Sequence, residues 1–414
     1  MTARLHGGRR TSIRPLTLQG SSRGIGGTEA KRRFLVVTLD AAGNWPPELV
    51  LIRALAQRGH EVRVICGAQH APQIAAAGAE YVAYRHAPER DSSVRPDNQR
   101  ESEMVRVMRD VFMNPAYGDE LLAAVDREAP DVLLVDQMLM TAAAAAESTR
   151  LPTAILWHTV YRASAHRWRS MPAPVLEPLN VVRQKLGLAR LAIGSAMIDG
   201  ARAVLAFTYE TFDTAPEDAP KHLHYVGPLA CMPQPLPPYS LPWPQDDDRP
   251  LILVSYSTSF QDQVQTLQRV SDAVAGLPVR VLLTLGAAIG ANELQLSDNV
   301  VAAAFVPHAA VLPHASLVVT HAGHGTVMAA TTAGVPMVCT PMGRDQHDVS
   351  ACVERLGLGR VVSMTASSEE LRDTIAAVLG DRALRERSRR FAASVDVAAG
   401  LGRAVEVLEN LSVR

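Results

Sequence analysis

The chain has 414 residues and a formal net charge of −1. That length suits two α/β domains better than one, and the near-neutral charge argues against nucleic acid or an anionic membrane as a partner. The four cysteines are scattered and form no C-x-x-C pair, which favours reduced thiols and a cytoplasmic location. No apolar run approaches the about 18–20 residues of a membrane-spanning helix.

Residues 1–30 are predicted to be a disordered tail, because Gly, Ser, Thr and Arg dominate and apolar residues show no periodicity. The first buried strand is predicted at 34–39, followed by a helix up to Arg58 and a second strand at 62–66. This opening lacks the G-x-G-x-x-G pattern that would indicate a dinucleotide site after the first strand.

Asp136 follows a predicted strand at 131–135, where the ligand-facing residues of a parallel sheet gather. An alternative role for its carboxylate is to cap the alanine-rich helix predicted at 141–147. His158 follows another predicted strand, at 154–156. Its imidazole suits a binding pocket or a hydrogen-bonded position in the core equally well.

A proline-dense stretch at 229–249 is the clearest boundary in the chain. Closely spaced prolines disfavour helix and sheet, so a semi-rigid extended linker is predicted there. It separates a first domain at 31–228 from a second domain at 250–395. The second domain opens with a strand at 251–255, and the hydroxyls of Ser257 and Thr258 then suit phosphate binding or helix capping.

The stretch from 305 to 346 is the most informative part of the sequence. A buried strand at 317–320 leads into the turn HAGHGT at 321–326, with a helix after it. The two glycines let a ligand approach the backbone, and the first free N–H groups of the helix point at it, which indicates an anion site. Taken alone, the turn fits a simple strand-to-helix connection equally well. Asp345 and Gln346, which follow the next strand, favour the binding site because they put ligands for sugar hydroxyls at the same sheet edge.

Four motifs in this stretch resemble the donor-binding signature of nucleotide-sugar-dependent glycosyltransferases. The resemblance is closest to the bacterial branch that decorates macrolides, enediynes and other natural products, and it extends from Arg33 onward. It implies an α/β protein with the GT-B fold, in which two Rossmann-like domains with parallel sheets face each other across a cleft. The motifs are FVPH at 305–308, HAGHGT at 321–326, GVP at 334–336 and P-M-x-x-D-Q at 341–346.

The resemblance also implies roles for individual residues. Phe305 would stack near the nucleotide base, His321 and Thr326 would bind the diphosphate, and Asp345 and Gln346 would hold sugar hydroxyls. The reaction would be a direct displacement with inversion, without a metal or a cofactor other than the TDP- or UDP-sugar co-substrate. The full predicted donor-binding set is Ser257, Thr258, Phe305, Val306, His308, His321, Gly323, Gly325, Thr326, Asp345 and Gln346.

One position departs from the family pattern. Relatives usually carry a histidine after the first turn glycine, where it deprotonates the acceptor, but this chain has Asn44, whose amide accepts no proton near neutral pH. The resemblance leaves Asp136 as the alternative base, with Asn44 orienting the acceptor. The predicted acceptor-binding residues are Trp45, Met138, His158 and Trp168.

The resemblance further implies that a terminal helix within 396–414 returns to the first domain, after a break predicted at Gly400-Leu-Gly402. The expected partners are a nucleotide sugar and a small-molecule aglycone, and the protein is expected to be a monomer or a homodimer. Two other functions remain open. Because of Asn44, the chain could be an inactive auxiliary or binding protein of the same fold; alternatively, it could be a nucleotide-sugar epimerase that needs no acceptor.

Overall fold

The computed structural model describes residues 31–39, 43–88, 103–232, 239–257, 261–286 and 289–412. The predicted tail at 1–30, residue Thr258 and positions 233–238 of the predicted linker lie outside this part of the chain. Among the helices of the described residues, none combines the length and the apolar character needed to cross a membrane.

The N-terminal half is built on a parallel sheet whose strand order is β3-β2-β1-β4-β5-β6-β7. Its central strands are short runs of Val, Leu and Ile that are buried on both faces, as expected where helices cover both sides of a parallel sheet. The strands are β1 (Arg33–Val37), β2 (Glu61–Cys66), β3 (Glu80–Ala83), β4 (Val132–Asp136), β5 (Thr153–Trp157), β6 (Ala203–Ala206) and β7 (Leu223–Tyr225).

Helices alternate with these strands along the chain. The helix after β1 begins at Trp45 and continues directly into Pro46 and Pro47, because proline fixes the backbone for a first helical turn. The helices are α1 (Trp45–Gln57), α2 (Ala71–Ala76), α3 (Glu103–Val107), α4 (Pro115–Glu128), α5 (Met140–Thr149), α6 (Tyr161–Arg169), α7 (Ala173–Lys185) and α8 (Glu210–Asp213).

The C-terminal half has a second parallel sheet, with the strand order β10-β9-β8-β11-β12-β13. Its strands are β8 (Leu251–Ser255), β9 (Arg280–Thr284), β10 (Val300–Ala303), β11 (Ala315–Thr320), β12 (Met337–Cys339) and β13 (Gly359–Val361). Its helices are α9 (Val264–Val274), α10 (His308–Val311), α11 (His324–Ala333), α12 (Gln346–Arg355), α13 (Ser368–Gly380), α14 (Arg382–Ala393) and α15 (Val397–Glu409).

Each sheet has one point at which the strand order reverses, and open α/β sheets bind ligands beside such points. In the first sheet it lies between β1 and β4, so the turn after β1 and the end of β4 lie side by side. In the second sheet it lies between β8 and β11. The segments that carry Asn44 and Asp136, and those that carry Ser257 and His321, are therefore neighbours.

The predicted break at Gly400-Leu-Gly402 is wrong, because both glycines lie inside the continuous helix α15. A Cβ atom on Gly400 would lie 1.9 Å from the carbonyl oxygen of Val226, so glycine allows the helix to pass directly over the N-terminal half. The far end of α15 is held there by Glu409, which pairs with Arg58 at 2.6 Å and lies 2.9 Å from His60.

Candidate active site

Asp136 lies at the centre of a buried polar cluster in the N-terminal half. Its carboxylate is fully buried, and Oδ1 accepts the backbone N–H of Met138 at 2.7 Å. Oδ2 accepts the Nδ2 group of Asn44 at 2.8 Å, which joins the turn after β4 to the turn after β1. The alternative capping role is wrong, because α5 begins after Leu139 without a side-chain cap.

Two further ionisable side chains complete this cluster. The Nε2 atom of His158 lies 2.9 Å from Oε1 of Glu48 and 3.5 Å from Oδ2 of Asp136, and both His158 and Glu48 are buried. Sequence reasoning missed Glu48. A signal was present, because Glu48 stands three residues after Trp45 and four before Ile52, on the face of α1 that is buried.

The cluster titrates unlike exposed groups. Burial raises the pKa of Glu48 to about 8 and that of Asp136 to about 6, because a carboxylate loses hydration inside the protein. Burial lowers the pKa of His158, since desolvation disfavours the imidazolium. Near pH 7, Glu48 is therefore mainly neutral, Asp136 mainly ionised and His158 neutral.

The turn after β11 forms the corresponding site in the C-terminal half. His321 is buried with its ring stacked on Tyr256, and burial lowers its pKa to about 4, so its imidazole is neutral. A Cβ on Gly323 would lie 2.6 Å from Nε2 of His321, whereas no atom of the described residues lies within 4 Å of a Cβ on Gly325. Glycine at 323 thus makes room for the imidazole, and glycine at 325 leaves open space beside the first turn of α11.

The other predicted donor residues occupy different environments. Phe305 is 75% exposed, which suits a ring available for stacking, whereas Val306 is part of the core. His308 shares a 3.0 Å hydrogen bond with the Ser255 hydroxyl at the end of β8. Ser257 is buried two residues after the end of β8.

Asp345 and Gln346 follow β12, and their side chains differ in how accessible they are to a ligand. Asp345 accepts a 2.5 Å hydrogen bond from the hydroxyl of Thr159, which follows β5, so the edges of the two sheets meet here. The Gln346 side chain is buried, and its oxygen accepts the backbone N–H groups of Met342 and Gly343. Gln346 thus holds its own loop in shape, and its contact with a sugar stays a prediction.

Thr159 and His324 were not among the predicted site residues. Burial lowers the pKa of His324 to about 4, and its imidazole interacts electrostatically with Asp345 and with His158. His324 therefore lies where the buried acidic cluster approaches the donor turn. Thr159 stands two residues after the end of β5, and His324 opens α11, so each lies where the strands of a parallel sheet end, a position that the sequence indicates.

The predicted acceptor-binding residues Trp45, Met138 and Trp168 differ in their burial and in their contacts. Trp45 is buried, its ring stacks on His70 at 4.2 Å and its indole N–H bonds to Gln73, so its ring packs in the core, and its contact with an acceptor stays a prediction. Met138 is half-buried with its sulfur 3.5 Å from Nδ2 of Asn44, and it lies beside the cluster. Trp168 is also half-buried and packs against Phe112.

The three ionisable side chains of the cluster are also a conceivable metal site. One ligand atom from each of Glu48, Asp136 and His158 lies within 4.8 Å of the others, and such a donor set suits Zn²⁺ or Mn²⁺. Two observations indicate that this cluster is better suited to binding protons than to holding a metal ion. Both oxygens of Asp136 already accept hydrogen bonds, and among the described residues Nδ1 of His158 has no hydrogen-bond partner of the kind that a metal-bound histidine usually has.

Known proteins resemble this chain in sequence and in fold. Residues 268–410 match the family described as "Erythromycin biosynthesis protein CIII-like, C-terminal domain". The chain is 28% identical to 4'-demethylrebeccamycin synthase of Lentzea aerocolonigenes, over 92% of this chain and 99% of that protein. It is 28% identical to demethyllactenocin mycarosyltransferase of Streptomyces fradiae, over 90% of this chain and 85% of that protein.

Among solved structures, the glycotransferase of kitacinnamycin superposes with a TM-score of 0.77 at 23% identity, over 92% of this chain and 99% of that one. The predicted resemblance to natural-product glycosyltransferases and the predicted α/β fold of the GT-B type are confirmed.

Proposed function

We propose that this chain, a homologue of natural-product glycosyltransferases with the GT-B fold, transfers a sugar from a nucleoside diphosphate sugar to a small natural-product acceptor. The observation that carries the proposal is the turn at 321–326. There the neutral imidazole of His321, the open space at Gly325 and the first N–H groups of α11 meet beside the strand-order reversal of the second sheet.

The donor side would stabilise the leaving group. The anomeric carbon exchanges its bond to the diphosphate oxygen for a bond to the acceptor, in line and with inversion. Negative charge grows on the diphosphate, where the N-terminus of α11 and the His321 ring stabilise it. This arrangement supplies the positive potential that a divalent cation would otherwise provide.

The acceptor side would take the proton that the acceptor loses. Asn44 is the more exposed member of its hydrogen bond with Asp136, so its amide meets the acceptor and the carboxylate lies behind it. We infer that the acceptor reaches Oδ2 of Asp136 by displacing the Asn44 amide. Asp136 is then the base, and Asn44 orients the acceptor.

The two alternative functions are less well supported. An inactive auxiliary protein explains Asn44, but it gives no reason for a buried Asp136 that keeps an ionisable carboxylate beside two other titratable groups. An epimerase uses the diphosphate site alone, and it leaves the polar cluster of the N-terminal half without a role.

The test is to incubate the purified chain with TDP- and UDP-sugars, and to measure thermal stability, donor hydrolysis and transfer to a panel of aglycones. Nucleotide sugars should raise the Tm, whereas the matching nucleoside should not. Hydrolysis and transfer should persist in excess EDTA. The absence of any Tm change with every nucleotide sugar, or loss of transfer in EDTA with rescue by Mn²⁺, would contradict the proposal.

A further inference from the structure

The Glu48–Asp136–His158 cluster lowers the stability of the folded protein, because it places three ionisable side chains in the interior. Within the described residues, the Glu48 oxygens and both His158 nitrogens lack a hydrogen bond of good geometry. A buried polar group in that state costs about 1–3 kcal/mol, and apolar residues of similar size often serve the core as well or better. Ionisable groups kept at such a cost beside a ligand site indicate a chemical role.

The position of His158 bears directly on the missing base. β4 and β5 are paired with Asp136 opposite Leu156, so the chain emerging from β5 brings His158 next to the Asp136 carboxylate. Asn44 hydrogen-bonds to Oδ2 from the turn after β1, and the His158 ring approaches the same oxygen from the segment after β5. An imidazole is thus present at this carboxylate, although none stands at position 44.

Glu48 connects to the same imidazole. Its Oε1 lies 2.9 Å from Nε2 of His158, which itself lies 3.5 Å from Asp136. The histidine ring is therefore the link between two carboxyl groups that come from different elements, α1 and β4.

We propose that Glu48, Asp136 and His158 act as one proton-accepting unit in place of the histidine that Asn44 lacks, with Glu48 and His158 as positioning residues that act through Asp136. This rests on the proposed function, in which Asp136 receives the proton of the acceptor. His158 keeps the Asp136 carboxylate oriented and shares the incoming proton, and Glu48 fixes the ring.

The proton balance of the step is simple. At rest, Glu48 carries a proton, His158 is neutral and Asp136 is ionised, so the unit has a net charge of −1. As the acceptor oxygen bonds to the anomeric carbon, its proton moves to the unit and the diphosphate leaves with the electron pair of the broken bond. The unit then has no net charge, and it returns the proton to solvent after product release.

Other titratable groups face the unit from the surrounding elements. His70 acts on Glu48 from the segment before α2, and Tyr84 interacts electrostatically with Asp136 and Glu48 from the segment after β3. His324 of α11 faces His158 from the other half. Because burial raises the pKa of Tyr84 well above its usual value and lowers that of His324, neither changes charge near pH 7.

The first arm of the test needs no activity. In protein with ¹⁵N-labelled histidine, the ring shifts of His158 should show an inflection near pH 8, when Glu48 loses its proton. Glu48→Gln should abolish that inflection, whereas Glu210→Gln, at an exposed position on α8, should retain it. Asp136→Asn should lower the midpoint of His158 itself by about one pH unit or more, because an opposite charge within a few Å is lost.

The second arm measures transfer. His158→Gln should lower turnover at least about tenfold with nucleotide affinity unchanged, a modest part of what general-base catalysis contributes. The pH–rate profile of the wild type should change near pH 8, and that change should be absent in Glu48→Gln. Should His158→Gln fail to fold, Glu48→Gln carries the test, since it is isosteric with the protonated acid.

The outcomes separate the two proposals. If the pH dependence of the His158 ring shifts is the same in the wild type, Glu48→Gln and Asp136→Asn, the proton-accepting unit is refuted, whatever the activity. Saturable binding of Zn²⁺ or Mn²⁺ that perturbs the His158 ring would overturn it in favour of a metal site. A wild type that transfers no sugar but shows the coupled titration would instead overturn the proposed function and leave the unit standing.

Discussion

The two points at which strand order reverses hold sites of different construction. In the C-terminal half, the site between β8 and β11 consists mainly of backbone N–H groups, glycines and the two neutral imidazoles of His321 and His324, drawn from the consecutive residues 321–326. In the N-terminal half, the site between β1 and β4 consists of ionisable side chains from three segments far apart in sequence.

That difference follows from what each site would have to do. A diphosphate arrives with its charge, so fixed dipoles and an imidazole that stays neutral suffice to bind it. An acceptor gives up a proton, so the groups that meet it must change their own charge near neutral pH. A binding site of the first kind is rigid and local, whereas the second kind needs groups with shifted pKa values held in a low-dielectric interior.

The largest expected effect is that of Asp136→Asn. It removes the carboxylate that we propose as the proton acceptor but preserves the shape of the side chain, so turnover should fall by about 10²–10⁴-fold. Nucleotide affinity should stay unchanged, since Asp136 belongs to the N-terminal site. The measurement is kcat for transfer together with nucleotide binding by calorimetry.

Asp131→Asn is the matched control, because Asp131 lies just before β4 and pairs with Arg33 at the surface. It should leave turnover near the wild-type value. If Asp136→Asn instead costs little, and the rate follows the pKa of the acceptor itself, the acceptor needs no base and the contrast between the two sites disappears.

The second effect is that of His321→Ala in the C-terminal site. Loss of a preorganised hydrogen-bond donor to the leaving group should cost about 2–4 kcal/mol in kcat/KM and also weaken nucleotide binding. His314→Ala, which removes an exposed histidine from the same half, is the control. Nucleotide affinity and turnover within about twofold of the wild type would refute the diphosphate assignment.

A smaller effect is expected from Gly325→Ala. No atom in the part of the chain that the structure describes lies within 4 Å of the added Cβ, so the free energy of unfolding should not fall. If the diphosphate occupies that space, nucleotide affinity should drop about tenfold, or about 1.4 kcal/mol. Gly402→Ala, equally unobstructed but on α15, should leave affinity unchanged. Unaltered affinity in Gly325→Ala would show that the ligand does not approach this turn.

The subtlest effect is on stability as a function of pH. Because the pKa of Glu48 is raised from its ordinary value of 4.5 to about 8, the protonated group favours the folded state at low pH, and that contribution is lost as pH rises to about 8. Relative to the wild type, Glu48→Gln should therefore gain stability between these values, by at most about 1.4 kcal/mol per pH unit.

Urea unfolding at pH 5, 7 and 9 measures this difference. The corresponding difference for Glu210→Gln should not vary in this range. A difference for Glu48→Gln that is equally flat would mean that Glu48 is ionised in the folded protein.

The same contrast explains what could be predicted from the sequence. The strands and the turn at 321–326 were predictable, because apolar runs and glycine spacing are local signals. Asp136 was predictable as a strand-end carboxylate. Its bonds to Asn44 and its proximity to His158 depend on which strands are neighbours, and local patterns do not contain that information.

What local patterns missed has the same origin. The ring of Trp45 packs on His70, a contact between α1 and the segment before α2 that periodicity does not reveal. Acidic residues are common in a first helical turn, and the contact of Glu48 with His158 joins segments far apart in the sequence. Gly400 was predicted to break the helix. Glycine is needed there because the carbonyl of Val226 lies against it, and Val226 is far away in the sequence.

The close contact of Gly400 with Val226 limits where this chain can be joined to a relative in a chimeric protein. The segment 397–411 packs on the N-terminal half through Ala404, Leu408 and the Glu409–Arg58 ion pair, although it follows the C-terminal sheet in the chain. A hybrid that takes a new donor specificity from a relative by a single crossover in the proline-rich linker would import a foreign last helix. The exchange should use two junctions, one in the linker and one just before Val397, so that the helix and the surface beneath it come from the same parent.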